Sequence, residues 1–241
     1  MKRKIFLFSF IIITALFGSC KKDGVKTDSY TCATCKSTPD ALVANDASSK
    51  GVYKGVVIGS TGTIRFDVLN GNTTITATMV IDGTTVNLTS SIVWASGVPY
   101  VAPFMGTLNG SAVSITFNVD GNGSNPVVTS SNIPGHPGAS FSLLKESSTS
   151  LIESFEGTYS STKPDKGTFN LLLSRALAKF GGISRKDGTT TSNDFDGIIG
   201  SDNKLMEGGT NYIGTLSTDK IDGTFKDNNN FTVTVTGKRT L

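Results

Sequence analysis

Along residues 62–68, Ile64, Phe66 and Val68 alternate with Thr63, Arg65 and Asp67. Along residues 73–81, Ile75, Ala77, Met79 and Ile81 alternate with Thr74, Thr76, Thr78 and Val80. A period of two puts one set on a buried face and the other on a wet face, as in a strand of an antiparallel sheet. The same period returns at Phe169, Leu171 and Leu173. Between such runs stand Asn70-Gly71, Asp82-Gly83, Asn109-Gly110, Asp120-Gly121 and Asp187-Gly188, dipeptides that accept the positive φ of tight hairpins. Short strands joined by tight turns predict an all-β antiparallel meander from residue 51 onward. Before it, Thr38 as a hydroxyl N-cap and Pro39 in the first helical position predict a short helix reaching about Asn45.

The pattern is duplicated. Gly51-Val-Tyr53 returns as Gly157-Thr-Tyr159, residues 62–68 as 167–173, Asp82-Gly-Thr-Thr85 as Asp187-Gly-Thr-Thr190, Gly106-Thr-Leu108 as Gly214-Thr-Leu216, and Phe117 as Phe225. The offsets are 106, 105, 105, 108 and 108, so five matches keep one order and drift only by loop-sized steps. Two tandem repeats of about 105 residues are therefore expected, at 51–146 and 153–241. A meander of this kind closes most simply as a barrel, which removes exposed edges; one shared barrel or two small ones both fit the pattern. A membrane-spanning barrel fits poorly, because neither face of the strands is uniformly apolar and no aromatic girdle is evident. The Gly-x-Tyr opening followed by Gly-Thr strands resembles lipocalin-type and related calycin barrels, and that resemblance implies an internal cavity for a ligand.

The first twenty residues carry an address. Lys2, Arg3 and Lys4 precede a 13-residue apolar run, residues 5–17, followed by Gly18, Ser19 and Cys20. The run is short for a bilayer span and has the flanks of a secretory signal. Ending on a cysteine, it resembles a type II lipoprotein signal, in which that thiol receives a diacylglyceryl group and the preceding bond is cut. The lipobox position three residues before the cysteine usually holds Leu, and here it is Phe17. The run from Phe17 to Asp23 also resembles lipoproteins of the Bacteroidota. The resemblance implies a signal at 1–19, a lipidated Cys20, an outer-membrane anchor on the periplasmic or surface face, and a polar tether over residues 20–50. Acyl chains gain about 0.8 kcal/mol per buried methylene, so two or three of them hold a protein stably at a membrane.

Removal of the signal changes the charge. The chain has 22 basic and 19 acidic residues; residues 1–19 hold three of the former and none of the latter, leaving 22 − 3 = 19 against 19. A neutral chain without a Lys/Arg cluster interleaved with aromatics lacks the footprint of nucleic-acid binding, and no nucleic-acid partner is expected. Cys32 and Cys35 remain once Cys20 is assigned to lipid, an even number for an oxidising compartment, and a local disulfide is the expected state. A redox pair would need a βαβ setting, and zinc would need ligands that a chain with one His does not supply.

Candidate chemistry is sparse. Phe117 to Phe141 spans 24 residues where Phe225 to Phe231 spans 6, so the first repeat carries an insertion of about 18, residues 122–140, holding Pro126, Pro134, Pro137 and His136. Loops added to a rigid scaffold often carry function. Asp120 opens a run with Asn122 and Ser124 at alternate positions, but Asn125 and Ser131 stand where a calcium loop needs Gly and Glu, which leaves a hairpin turn. Trp94, Tyr100 and Phe104 cluster around residues 97–99, and aromatic faces there suit stacking on a sugar or capping an apolar cavity. A Ser–His–Asp arrangement would have to use His136, and no G-x-S-x-G turn, P-loop or dinucleotide fingerprint is present. The expectation is a non-enzymatic binding module without cofactor or metal, taking a small apolar molecule, a glycan or a protein at the barrel cavity or around Trp94, Tyr100, Phe104 and His136. The alternatives are a secreted hydrolase working through the His136 loop, and a structural or inhibitor protein at the cell surface.

Overall fold

The computed structural model describes residues 30–59 and 61–241. The signal segment and Cys20 lie outside the described residues. Eight strands, β1 (Gly51–Ile58), β2 (Gly62–Val68), β3 (Ile75–Ile81), β4 (Thr84–Ser90), β5 (Tyr100–Leu108), β6 (Ser111–Val119), β7 (Val127–Asn132) and β8 (Ser140–Glu146), form one antiparallel sheet in the order 7-6-5-4-3-2-1-8. Eight more, β9 (Glu153–Ser161), β10 (Asp165–Ser174), β11 (Lys179–Lys186), β12 (Ser192–Ile199), β13 (Lys204–Glu207), β14 (Asn211–Leu216), β15 (Lys220–Lys226) and β16 (Thr232–Arg239), close into a barrel. The fold is all-β and barrel-like, and the two repeats build two units rather than one shared barrel.

The insertion decides how each unit ends. In the second unit β16 pairs with both β15 and β9, which completes the ring. In the first unit β8 pairs with β1, but the inserted β7 occupies the free side of β6, so β7 and β8 become the two ends of the sheet order. The second unit has an addition of its own, the four-residue β13, inserted between β12 and β14 with a register shift at Leu205/Met206. The turn dipeptides behave as their chemistry requires at Asp82-Gly83 (φ 45° and 76°) and Asn109-Gly110 (φ 50° and 80°), where both central residues are left-handed.

Inward rows of the first sheet make a filled core. Tyr53, Phe66, Phe104 and Phe117 are fully buried, with Phe66 stacked on Phe117 at 4.4 Å and Tyr53 and Phe104 packed around them. Strand β1 is buried on both faces. Tyr53 and Val57 face this core, while Val56 packs with Ile152 and Leu172 between the units. Beside that contact, Lys54 Nζ lies 2.6 Å from Glu146 Oε2, and both side chains are buried. Arg185 of β11 donates to Gly138 O (2.8 Å) and Ser140 Oγ (3.3 Å), tying the barrel to the first unit.

The polar segment read as a tether is docked from Tyr30 onward. Tyr30 donates to Arg239 O at 2.7 Å, the Cys32 amide to Asp219 Oδ2 at 3.0 Å, and Arg239 Nη2 to Lys36 O at 2.6 Å. Cys32 and Cys35 are disulfide-bonded, with Cα atoms 5.4 Å apart. The helix expected from Thr38 shrinks to one 3₁₀ turn, Val43–Asn45. Its would-be first turn is committed elsewhere: the Asp40 amide donates to Glu146 Oε1, Asp40 O accepts from Asn70 Nδ2, and the Leu42 amide donates to Asn70 Oδ1. Backbone groups satisfied by side chains have no helical bonds left to make.

Glu156, on β9 at the junction of the units, has its carboxyl pushed up by burial and by the Asp82 charge, against the pull of Lys238 and the Gly62 amide. A raised folded-state value means the folded protein holds that proton better than the unfolded chain. The burden is absent below the ordinary carboxylate range and grows as pH rises through the folded value. Glu156→Gln is therefore expected to melt higher than wild type at pH 7, with the two curves converging near pH 4. Identical Tm values at pH 7 would contradict this assignment.

Candidate functional site

The barrel of the second unit holds a cavity of about 400 Å³. Eight strands give an interior just wide enough to be filled by side chains or to hold one small ligand, and a comparison of the two repeats shows why this one is open. In the first unit Met79 of β3 stands between Ile64 and Val86, and all three are buried. At the same place in the second unit Ser184 of β11 stands between Phe169 and Asn193. One strand position nearer the end, Ile81 opposite Gly62 is replaced by Lys186 opposite Gly167. Short or polar side chains thus take the place of core-filling ones at one end of the ring, where the hairpins β9–β10, β11–β12, β13–β14 and β15–β16 turn.

The cavity has an apolar floor and a polar mouth. Phe169, Leu171, Leu205, Ile221 and Val235 form the floor and belong to the unit's own core. The Phe169 ring lies against Gly157 and Gly237, where a Cβ would come within 2.4 and 3.0 Å of its Cζ; the missing side chains make room for it. Around the mouth are Tyr159, Ser161, Lys163, Asp165, Glu207 and Asp227. Burial, with the charges of Asp165 and Asp187, pushes the Tyr159 phenol up, so its hydroxyl stays a donor at neutral pH. Lys186 Nζ lies 3.5 Å from Asp165 Oδ2, while Asp165 Oδ1 is buried and meets no donor among the described residues. At the opposite end of the barrel Glu153 accepts from Arg175 at 2.8 Å and lies 3.3 Å from Arg239.

The residues singled out from the sequence lie in the first unit, and the structure does not bring all of them together. Phe104 is fully buried in the core, and Tyr100, 3% exposed, donates toward Ser90 Oγ and Ile92 O. Burial pushes the Tyr100 phenol up, against the pull of the Ser90 bond. Trp94 is half-buried in the β4–β5 loop, where its indole N–H donates to Ser49 Oγ at 2.8 Å and Lys50 Nζ sits 4.2 Å from the ring centroid. His136 follows β7, at the opposite end of the sheet, with Nδ1 3.9 Å from Asp82 Oδ2. Asp120 binds Ser124 and Asn125 of its own turn, and among the described residues no three His, Cys, Asp or Glu side chains gather as a metal site. The cavity residues are not among those the sequence singles out, although Asp165 is in phase with Phe169 and Leu171, and Asp227 with Ile221 and Phe225. A carboxylate continuing an inward apolar row was the available signal. Compared with family models, curated proteins and solved structures, the chain matches none.

Proposed function

We propose that this protein is a lipid-anchored binding module of the bacterial cell envelope, carried by diacylglyceryl on Cys20, which holds a small, partly apolar molecule in the barrel of its second unit. The observation that carries the reading is the cavity of about 400 Å³ with an apolar floor and a polar mouth. Ligand sites commonly measure about 300–1,000 Å³ and combine an apolar lining with a few placed polar groups. The Lys2–Lys4 and residue 5–17 pattern ending at Cys20 supports the anchor and the outer-membrane location. In this reading the protein works by binding rather than by catalysis, and the likeness to lipocalin-type barrels lies in general architecture.

The test is native mass spectrometry of the full chain released from its own envelope. A few hundred daltons of extra mass, lost on denaturation, is the expected result. Ser184→Met with Asn193→Val copies the Met79/Val86 pair of the first unit into the mouth of the second. Those side chains should fill the outer cavity, remove the extra mass and leave Tm unchanged or higher, since apolar burial in open space stabilises. A ligand retained at full occupancy by a folded double variant would place the binding elsewhere.

A further inference from the structure

We infer that the folded body docks on the phospholipid bilayer that carries Cys20, through the apolar loops at the end of the molecule opposite the cavity mouth, so that the mouth faces away from the lipid. This rests on the reading of Cys20 as the lipidated residue and adds the orientation of the body.

Antiparallel order sends every second connection to that end: residues 69–74, 91–99 and 120–126 in the first unit, and 175–178, 200–203 and 217–219 in the second. The two units share it, because Ser150 bonds Ser174 there while Arg185 reaches Gly138 at the mouth end. Leu42, Val43, Ile92, Val93, Val98 and Leu177 stand exposed in these connections and in the segment before β1, with Val93 at 88%, Val43 at 78% and Leu177 at 61%. At the mouth end, residues 82–83, 109–110, 133–139, 162–164, 187–191, 208–210 and 227–231 expose no large hydrophobic side chain among the described residues. Single exposed apolar residues are ordinary on a protein surface, but their segregation to one end marks an interaction face.

The loops are fastened into one face. Leu42 packs over Gly71, and Gly121 approaches so closely that a Cβ on it would stand 2.9 Å from Gly97, next to Val98. Ser49 links them, its amide donating to Gly121 O at 3.0 Å and its hydroxyl accepting from the Trp94 indole at 2.8 Å. Ser37 and Pro39 border Ala176 and Ser217 at the same end of the barrel. Charge suits a lipid surface as well. From residue 83 to 119 there is no Asp, Glu, Lys or Arg, so the 91–99 loop meets a bilayer without desolvating a charge. Lys36, Arg175 and Lys179 are exposed at this end, and Lys50 Nζ sits over the Trp94 ring, an indole and ammonium placed as at a membrane interface. The acids are occupied: Glu153 and Asp219 lie against Arg239, and Asp202 pairs with Lys204 at 2.6 Å.

Where the described chain begins says what covers the face. Tyr30 is bonded to Arg239 O at this end, and only nine residues separate it from Cys20, a reach of at most about 36 Å. Acyl chains on Cys20 therefore hold this end beside the bilayer, and the contact becomes intramolecular, so that a face of modest intrinsic affinity suffices. Apolar side chains seated at the boundary of head groups and acyl chains supply that affinity.

The protein isolated from its own envelope is reconstituted into vesicles of phosphatidylethanolamine and phosphatidylglycerol, with and without bromine on the upper acyl chains. Wild type should float with the vesicles, and bromine should lower the fluorescence of Trp94, the single Trp, by at least a third. Val93→Asp/Val98→Asp/Leu177→Asp, changes confined to exposed side chains, should float as wild type does and lose less than a tenth. Trp94 unquenched in floating wild type would overturn the docking and leave the anchor standing; a dimer in detergent that the triple variant dissociates would then give the face to a second copy. Equal quenching in wild type and variant would overturn the assignment to these loops. Wild type that floats without a diacylglyceryl mass on Cys20, and is released by the triple substitution, would overturn the anchor alone. Failure to float would overturn both.

Discussion

Glu146→Leu is expected to cost about 3–5 kcal/mol, the range for stranding one partner of a buried ion pair. Glu146 is fully buried, and three donors converge on it: Lys54 Nζ at 2.6 Å, the Ile152 amide at 3.0 Å and the Asp40 amide at 2.6 Å. Leucine would leave two amides unpaired, and the ammonium with only Ile152 O at 3.3 Å, beside the contact of Val56, Ile152 and Leu172. Lys54→Met should cost less, because the carboxylate keeps both amides. Lys54→Met/Glu146→Leu should fall between, since it removes the buried ammonium that has lost its carboxylate and leaves only the two amides unpaired. Urea unfolding followed by the single Trp, Trp94, gives the ranking. A Glu146→Leu protein within 1 kcal/mol of wild type, or one less stable as the double variant, would contradict the account. Because Asp40, Glu146 and Ile152 belong to the docked segment, the first unit and the linker, this one side chain joins three parts of the molecule.

How much of this was legible in the sequence differs by level. The inward rows were: Ile64, Phe66 and Val68 are buried, as are Phe169, Leu171 and Leu173, because a period of two is a strictly local signal; the face read as wet was not, since Thr63 and Asp67 are buried as well, as are Asn170 and Leu172 on the matching face of the second repeat. The duplication was also legible, as was the insertion after Phe117. That the insertion would supply β7 and keep β8 from meeting β6 was not, because closure depends on which strands find each other across some twenty residues. β13 was missed because four residues carry too short a pattern to count. The cavity was not legible for a different reason. The aromatic residues that stand out in the sequence lie in the first repeat, where Tyr100 and Phe104 are core. A cavity is made by what is absent, and Ser184 in place of Met79 is visible only once the two repeats are laid on each other strand by strand. The docking of residues 30–40 rests on distant partners such as Asp219 and Arg239, which no local pattern announces.

Phe117→Ala is expected to cost the first unit about 3–5 kcal/mol, the range for removing a buried aromatic ring from a packed core. Phe117 is fully buried and lies within 6.1 Å, centroid to centroid, of Phe66, Tyr53 and Phe104, so no neighbour can move in without abandoning another ring. The second unit has a core of its own around Phe155, Leu171 and Leu173, and among the described residues the buried apolar cluster between the units is the small one of Val56, Ile152 and Leu172. A loss in one core should therefore reach the other mainly through that cluster, the Asn170 Nδ2 bond to Val57 O, the bonds of Lys54 and Glu146 to Ile152, and Arg185. Hydrogen exchange read strand by strand separates the two units. The expected result is faster exchange throughout β2, β3, β5 and β6, with β10 and β15 changed by less than tenfold. Equal acceleration in both units would mean that the polar junction couples them into one cooperative body, and the barrel could then not be relied on to keep its cavity when its neighbour is damaged.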